Sequence, residues 1–381
     1  MMKLTILKEY LNQAIQHVSR AISGRTAIPI LNGIKIDVNA NGMVLTASDT
    51  EVTIQHFIPT EEGEERIITI EKTGSIVLPA KFFVEIIKKL PEPHAEIEVK
   101  EPYQTIIKSG TTEIQMIGLD PEEYPVLPAL MENNAITLPA SVLKTMIKQT
   151  VFAVSANEST PVLTGVLWTL SGQTLKFTAT DRHRLSTRQI KIDADPSLSL
   201  ENIVIPGKTL NELYKIIPDQ NMLVDIVVAD NQVLFRLGNI LFYSRILEGV
   251  YPDTSKIIPQ TYKTELIVNT KAFLEAMDRA YLLSREEKTN IVKLVTKEDG
   301  SLEISSSLSE LGKITEQLPT AEMKGEPVKI SFNSKYMLDA LKVLDCEQIQ
   351  IGFTGMMSPI IVKPDDSADL LHLILPYRTV N

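Results

Sequence analysis

The stretch Leu4 to Ser23, LTILKEYLNQAIQHVSRAIS, decides the fold, because it returns in kind at Ile136 to Ser155, ITLPASVLKTMIKQTVFAVS, and at Leu266 to Arg285, LIVNTKAFLEAMDRAYLLSR. Each copy opens with a short apolar strand and passes into a segment whose apolar residues recur at helical spacing. These are Leu11, Ile15 and Val18 in the first copy, Leu143, Ile147 and Val151 in the second, and Phe273, Met277 and Ala280 in the third. A strand running into an amphipathic helix is therefore predicted three times, at a period of about 125–130 residues, and each helix has one face for a core.

Working outward, the same order of elements follows each copy. A strand pair is predicted at Ile34 to Val38 and Met43 to Ala47, at Val166 to Leu170 and Leu175 to Ala179, and at Val292 to Val295 and Ser301 to Ser305. Asn41-Gly42 and Ser171-Gly172 are expected to form the hairpin turns. A second strand-to-helix element spans Ile76 to Leu90, Ile203 to Ile217 and Val328 to Leu344. Pro91 and Pro218 stop the first two helices, and Asn333 or Ser334 is expected to cap the third. Alternating strands close the units near Glu96 to Met116, Val224 to Tyr243 and Ile349 to Leu375. The proline-rich segments Pro121 to Pro128 and Pro252 to Pro259 read as linkers. The expectation is an α+β protein of three similar domains, 1–128, 129–259 and 260–381.

With 44% hydrophobic and 23% charged residues, the 381-residue chain has the usage of a globular protein with substantial cores. It has one cysteine, Cys346, so no intrachain disulfide is available, and its first residues lack the apolar stretch of a signal peptide. No segment approaches the ~20 apolar residues that span a bilayer. A cytoplasmic protein without membrane contact is expected.

Charge is unevenly placed. The helical segments 8–25, 80–90, 140–155, 207–217, 270–285 and 334–344 together carry +9 in a chain of net charge −10, which leaves −19 elsewhere. Lys81 with Lys88 and Lys89, Lys144 with Lys148, and Lys208 with Lys215 lie away from the apolar positions. Solvated surface is the ordinary reading of any one such lysine; segregation over all six helices favours a collective role. A basic helical surface with few aromatic residues suits contact with phosphates and not with bases, so binding to duplex DNA would be independent of sequence. Helices about 10 Å across, set side by side in a circle, leave a hole of roughly 9 Å for six and about 28 Å for twelve. Only the larger hole admits a duplex about 20 Å wide, so a ring around DNA would need two chains.

Catalysis is not indicated. Gly207-Lys208-Thr209 mimics the end of a phosphate-binding loop, but Asn202 stands where that motif requires glycine. Asp181, His183 and Ser186 are close in sequence, which does not make a triad. The histidines (His17, His56, His94, His183, His372) and Cys346 lack metal-ligand spacing, and no cofactor is expected.

Four motifs stand in a telling order: Arg25-Thr26-Ala27-Ile28-Pro29-Ile30-Leu31, Thr180-Asp181-Arg182-His183-Arg184-Leu185, Tyr251-Pro252-Asp253 and Leu375-Pro376-Tyr377-Arg378. Together they resemble the bacterial beta sliding clamps of DNA polymerase III, over essentially the whole chain. The resemblance implies the DNA clamp fold, with two helices per domain on the inner face and antiparallel sheets outside, closed into a head-to-tail homodimeric ring. It implies a non-catalytic processivity factor that encircles duplex DNA and tethers the polymerase III alpha subunit, the clamp loader, other polymerases and repair proteins through a short linear peptide. By motif position the peptide cleft would be lined by Leu163, Thr180, Arg182, His183, Leu185, Pro252, Lys256, Ile257, Pro359, Leu373, Leu375, Pro376, Tyr377 and Arg378. Arg25, Lys81, Asn157 and Lys208 would contact DNA. Ile114 and Met116 would meet Leu282 and Leu283 of a second copy.

The chain departs from the family where Arg182 replaces a small residue, where Tyr377 replaces an aliphatic one, and where the end runs on through Thr379, Val380 and Asn381. Thr160, Pro161 and Val162 also stand where relatives have bulky or basic residues. An alternative is therefore a protein-interaction scaffold, or a specialised clamp with altered partner selectivity.

Overall fold

A computed structural model describes residues 2–24, 26–126, 135–219, 222–229, 231–286, 290–308 and 312–378. All six expected helices form: α1 (Lys8–Val18), α2 (Ala80–Lys89), α3 (Ala140–Thr150), α4 (Gly207–Ile216), α5 (Thr270–Ser284) and α6 (Ser334–Leu341). Each follows directly on a strand, and the apolar stripe read from the sequence is the buried one: Leu11, Ile15 and Val18 on α1, Phe273, Met277 and Ala280 on α5. Where the helix start carries a polar side chain, that side chain caps it. Asn269 accepts from the Ala272 amide at 2.9 Å, and Asn333 accepts from the Lys335 amide at 2.9 Å. Asn333, not Ser334, is thus the cap of α6; Ser334 is buried and donates to the Asn290 carbonyl at 2.9 Å.

The chain divides into two compact units, residues 1–141 with 215–246, and residues 142–214 with 247–381. The first holds a five-stranded sheet ordered Thr112–Ile117, Gln104–Ser109, His94–Lys100, Met2–Leu7, Ile68–Lys72. It also holds an eight-stranded sheet ordered Ala135–Pro139, Leu223–Val228, Gln232–Leu237, Ile240–Arg245, Val52–Pro59, Gly42–Ser48, Gly33–Asn39, Gly74–Pro79. Here the first repeat joins the second edge to edge, with Phe242 opposite Ile54.

The second unit repeats the arrangement. Its nine-stranded sheet runs Leu200–Pro206, Gly165–Ser171, Thr174–Thr180, Arg184–Lys191, Leu370–Ile374, Ile360–Pro364, Gln348–Phe353, Thr264–Asn269, Glu322–Gly325. The second repeat joins the third where Leu185 lies opposite Leu373 and Ser186 opposite His372. A four-stranded sheet, Gly312–Leu318, Leu302–Leu308, Ile291–Thr296, Lys329–Asn333, packs under α5 and α6 around Phe273, Met277, Phe332 and Met337.

One local expectation needs correction. The hairpin turns sit one residue away from the predicted dipeptides: Asn39 pairs with Gly42, so Ala40-Asn41 makes the first, and Ser171 pairs with Thr174, so Gly172-Gln173 makes the second. Gly172 and Gln173 both have positive φ, 52° and 66°, the conformation that matches the twist of a two-residue hairpin. The proline-rich segments, in turn, are pinned where they begin. Tyr124 is buried against Ile30, Leu31 and Val77, and Tyr251 against Val162, Leu163 and Val204. These contacts expose a further repeat, Ile28-Pro29-Ile30-Leu31-Asn32-Gly33 against Thr160-Pro161-Val162-Leu163-Thr164-Gly165, each a single 3-10 turn entering a strand.

His372 lies at the centre of the nine-stranded sheet, fully buried, with neither ring nitrogen hydrogen-bonded among the described residues. Burial disfavours its charged form and lowers its pKa to about 3. A base depressed in the folded state is neutral there, while the unfolded chain takes up a proton below about pH 6.5. Stability is therefore whole above that pH and falls as pH drops toward 3, by roughly 2 kcal/mol between pH 7 and pH 5. His372→Leu is expected to remove this contribution, read as a flatter dependence of urea midpoint on pH; an unchanged slope would place the titrating group elsewhere.

Candidate functional site

The loop Asp181–His183, between the strands Thr174–Thr180 and Arg184–Lys191, is built by its own polar groups. The Asp181 carboxylate accepts from the His183 and Arg184 amides, both at 2.9 Å. Thr180 Oγ1 accepts from the Arg182 amide at 3.1 Å and donates to the Arg184 carbonyl. This pulls Arg182 to φ +75°, a region that side-chain-bearing residues seldom occupy, and turns its side chain out to solvent. The guanidinium then reaches Thr160 Oγ1 at 2.9 Å. The strand end behind the loop is fixed by Tyr251, whose hydroxyl accepts from the Thr180 amide at 3.0 Å; burial pushes that phenol well above its usual range, so it stays protonated.

Arg184 runs inward. Its Nε meets Asp181 at 3.0 Å, one terminal nitrogen meets Asp339 of α6 at 2.7 Å, and the other donates to the Phe152 carbonyl at 2.7 Å. The guanidinium lies 4.6 Å from the Tyr336 ring centre and 5.4 Å from that of Phe152. Tyr336 is thereby held beside His183, their rings nearly parallel with centres 6.4 Å apart. The chain end is stitched to the same place: the Leu375 amide donates to the His183 carbonyl at 2.9 Å, and the Tyr377 amide to the Ser331 carbonyl at 2.6 Å.

These contacts enclose a cavity of about 310 Å³ lined by Ser155, Ala156, Asn157, Ser159, Thr160, Leu163, Asp181, Arg182, His183 and Tyr336. It has an apolar floor, Leu163 and Tyr336, and a rim of hydroxyl, amide and guanidinium groups. Such a surface can hold a short extended segment with one or two large apolar side chains and polar contacts beside them.

Of the residues expected in the cleft, Leu163, Arg182 and His183 line this cavity. Leu185 and Leu373 do not line an open surface, because alternation along their strands turns them into a buried cluster with Ile361. Thr180 is buried and acts through its hydrogen bonds. Pro252, Lys256, Ile257, Leu375, Tyr377 and Arg378 are exposed, and Pro359 and Pro376 half-buried; none of them borders this cavity. Thr379, Val380 and Asn381 lie outside the described residues. Sequence reasoning missed Tyr336 and the loop Ser155 to Thr160. Nothing near Tyr336 in sequence connects it to residue 183, whereas the Thr160-Pro161-Val162-Leu163 repeat did carry a signal.

Of the residues expected at DNA, Lys81 and Lys208 are exposed on the first turns of α2 and α4. Lys81 lies 5.8 Å from the ring centre of the exposed Phe82. Asn157 lines the cavity instead, and Arg25 lies outside the described residues. Other helix lysines have local acidic partners, Lys148 with Asp345 at 3.4 Å, Lys89 with Glu85 at 3.4 Å and Lys335 with Asp339 at 3.5 Å. Ile114 and Met116 are half-buried on Thr112–Ile117, an edge strand, and Leu282 stands 49% exposed near the end of α5, with Leu283 half-buried beside it.

Comparison with known proteins covers the whole chain. Models of the N-terminal, central and C-terminal domains of the DNA polymerase III beta subunit match residues 2–128, 137–253 and 255–378. The beta sliding clamp of Bacillus subtilis (strain 168) is 52% identical over 378 residues, 99% of this chain and 100% of that protein. That of Staphylococcus aureus (strain N315) is 46% identical over 379 residues, 100% of both. Among solved structures, the DNA polymerase sliding clamp from Bacillus subtilis superposes with a TM-score of 0.97 at 51% identity, covering 100% of both chains. The DNA polymerase III beta chain of Streptococcus pneumoniae TIGR4 does so with a TM-score of 0.95 at 37% identity, again over 100% of both.

Proposed function

The chain belongs to the beta sliding clamp family of DNA polymerase III, non-catalytic processivity factors with a three-domain clamp fold, and we propose from that premise how its surfaces are used. Two copies close head to tail around duplex DNA in the cytoplasm, with domains bounded near residues 128 and 259. The edge strand carrying Ile114 and Met116 meets the Leu282 and Leu283 end of α5 in the second copy. Pairing both edges removes the exposed strand that each chain alone presents.

DNA is held through phosphates by the basic helices, Lys81 and Lys208 among them, with no reading of bases. The observation that carries this is the division of charge, +5 on the six helices α1 to α6 in a chain of −10, which draws a polyanion to the helices and repels it from the rest. The cavity beside Arg182 and His183 takes a short peptide from the polymerase alpha subunit, the clamp loader, other polymerases and repair proteins. Its support is an apolar floor under a polar rim on a pre-built loop.

Loading tests the reading. Incubated with nicked circular DNA, clamp loader and ATP, the protein is expected to co-elute with DNA on gel filtration and to be lost when the circle is cut once. Persistence after linearisation, or no association at all, would rule out topological encirclement.

A further inference from the structure

The four-stranded sheet under α5 and α6 turns one face to those helices, through Val292, Leu294, Ile304, Ile330 and Phe332. Alternation along the strands puts Lys293, Ser305, Lys329 and Ser331 on the other face. Lys293 stands in the middle of it, directly opposite Ser305 on one neighbouring strand and Ser331 on the other. Its amino group meets that of Lys329 within hydrogen-bonding reach, and Lys313 adds to the same positive field. Partial burial, together with the charge of Lys329, holds the Lys293 amine below the usual lysine range. Glu303 shares this face, but its carboxylate is bound to Lys297 at 2.8 Å. Among the described residues no carboxylate comes within ion-pairing distance of Lys293 or Lys329. Like charges set against each other in a sheet destabilise it. The pair therefore costs stability that a bound anion would restore.

We propose that Lys293 and Lys329, with the hydroxyls of Ser305 and Ser331, form a binding site for the phosphoryl group of a small anion, either free or carried by a nucleotide. Ser305 and Ser331 are each only 8% exposed, so their hydroxyls form the floor of the face on either side of the Lys293 stem. A phosphoryl group brings nearly two negative charges and three acceptor oxygens, enough for both ammonium groups and a hydroxyl at once. A carboxylate has one charge and two oxygens in a plane, and would neutralise only one of the two lysines. The face lies on the side of the sheet away from α5 and α6, so a ligand here does not compete with DNA held by the helices. The site is open to solvent, and binding weakens as salt rises.

The test is isothermal titration calorimetry of the full chain in magnesium-free, low-salt buffer, with inorganic pyrophosphate and, separately, with dATP. Saturable binding of pyrophosphate is expected, weakened about tenfold in Lys293→Gln and in Lys329→Gln and severalfold in Ser305→Ala, with circular dichroism unchanged in each. Equal affinity for dATP would support a site that reads phosphate alone; tighter binding of dATP would support one that takes a nucleotide. Absence of binding to both, or binding that is the same in Lys293→Gln and Lys329→Gln, would overturn the proposal. So would a hexaglutamate peptide that binds where pyrophosphate does not, since the face would then read carboxylates. Loss of pyrophosphate binding in a Lys81→Gln, Lys208→Gln double variant, with Lys293→Gln unaffected, would assign the anion to the helices and overturn it as well.

Discussion

Leu282→Asp is expected to give a folded protein that sediments as a monomer at concentrations where the unaltered chain is a dimer. On α5 the residues Phe273, Ala276, Met277 and Ala280 are fully buried, while Leu282 is half exposed, so the substitution spares the core and acts at the surface. An apolar anchor at the centre of an interface contributes about 2–4 kcal/mol, and a buried unpaired carboxylate adds to the loss. Dimerisation should weaken at least ~100-fold on that scale. Analytical ultracentrifugation with circular dichroism separates this outcome from unfolding. Retention on nicked circles should vanish in parallel, because an open chain has no topological hold. A variant that still forms dimers of wild-type affinity would place the interface away from α5, and Ile114→Asp on the opposing edge strand would then be the next position to examine.

What the sequence made legible follows from what periodicity can record. Each repeat must bury one helix face, so Leu11, Ile15 and Val18 and their counterparts announce themselves at helical spacing, and the first helix of each repeat lies where that spacing put it, while the second was marked by its flanking prolines or cap. Pairing between repeats leaves no such trace. Nothing in Val52–Pro59 or Ile240–Arg245 marks them as neighbours, because a strand interior to a wide sheet and one at an edge differ only in what their backbone amides meet. The chain therefore reads as three units in sequence and divides into two compact ones in space, the central repeat giving strands to both. The cleft was legible only in part for a related reason. Arg182 and His183 lie in a motif, but the residues that complete the cavity come from the turn before Leu163 and from α6, and no local pattern ties Tyr336 to residue 183. Leu185 and Leu373 were assigned to the lining by motif and lie in a buried cluster with Ile361, since motif position does not reveal which face of a strand is open.

Arg184→Met is expected to be the most destabilising single change near the site, at about 3–5 kcal/mol, because it strips one partner from a set of mostly buried charges. The guanidinium holds Asp181, Asp339 and the Phe152 carbonyl at once, and among the described residues only Asp339 retains another cation, Lys335 at 3.5 Å. Asp181 would be left with its backbone amides alone in a site where its side chain is 13% exposed. The charge argument separates from a packing argument by a second substitution: Asp339→Leu in the Arg184→Met background should recover part of the loss, since removing both members of a buried pair costs less than orphaning one. If denaturant titration gives additive losses for the two changes, the arginine matters for the volume it fills between Phe152 and Tyr336 and not for its charge. The same measurement bears on the cavity, because Tyr336 is held beside His183 by that guanidinium. Peptide affinity should therefore fall together with stability in Arg184→Met.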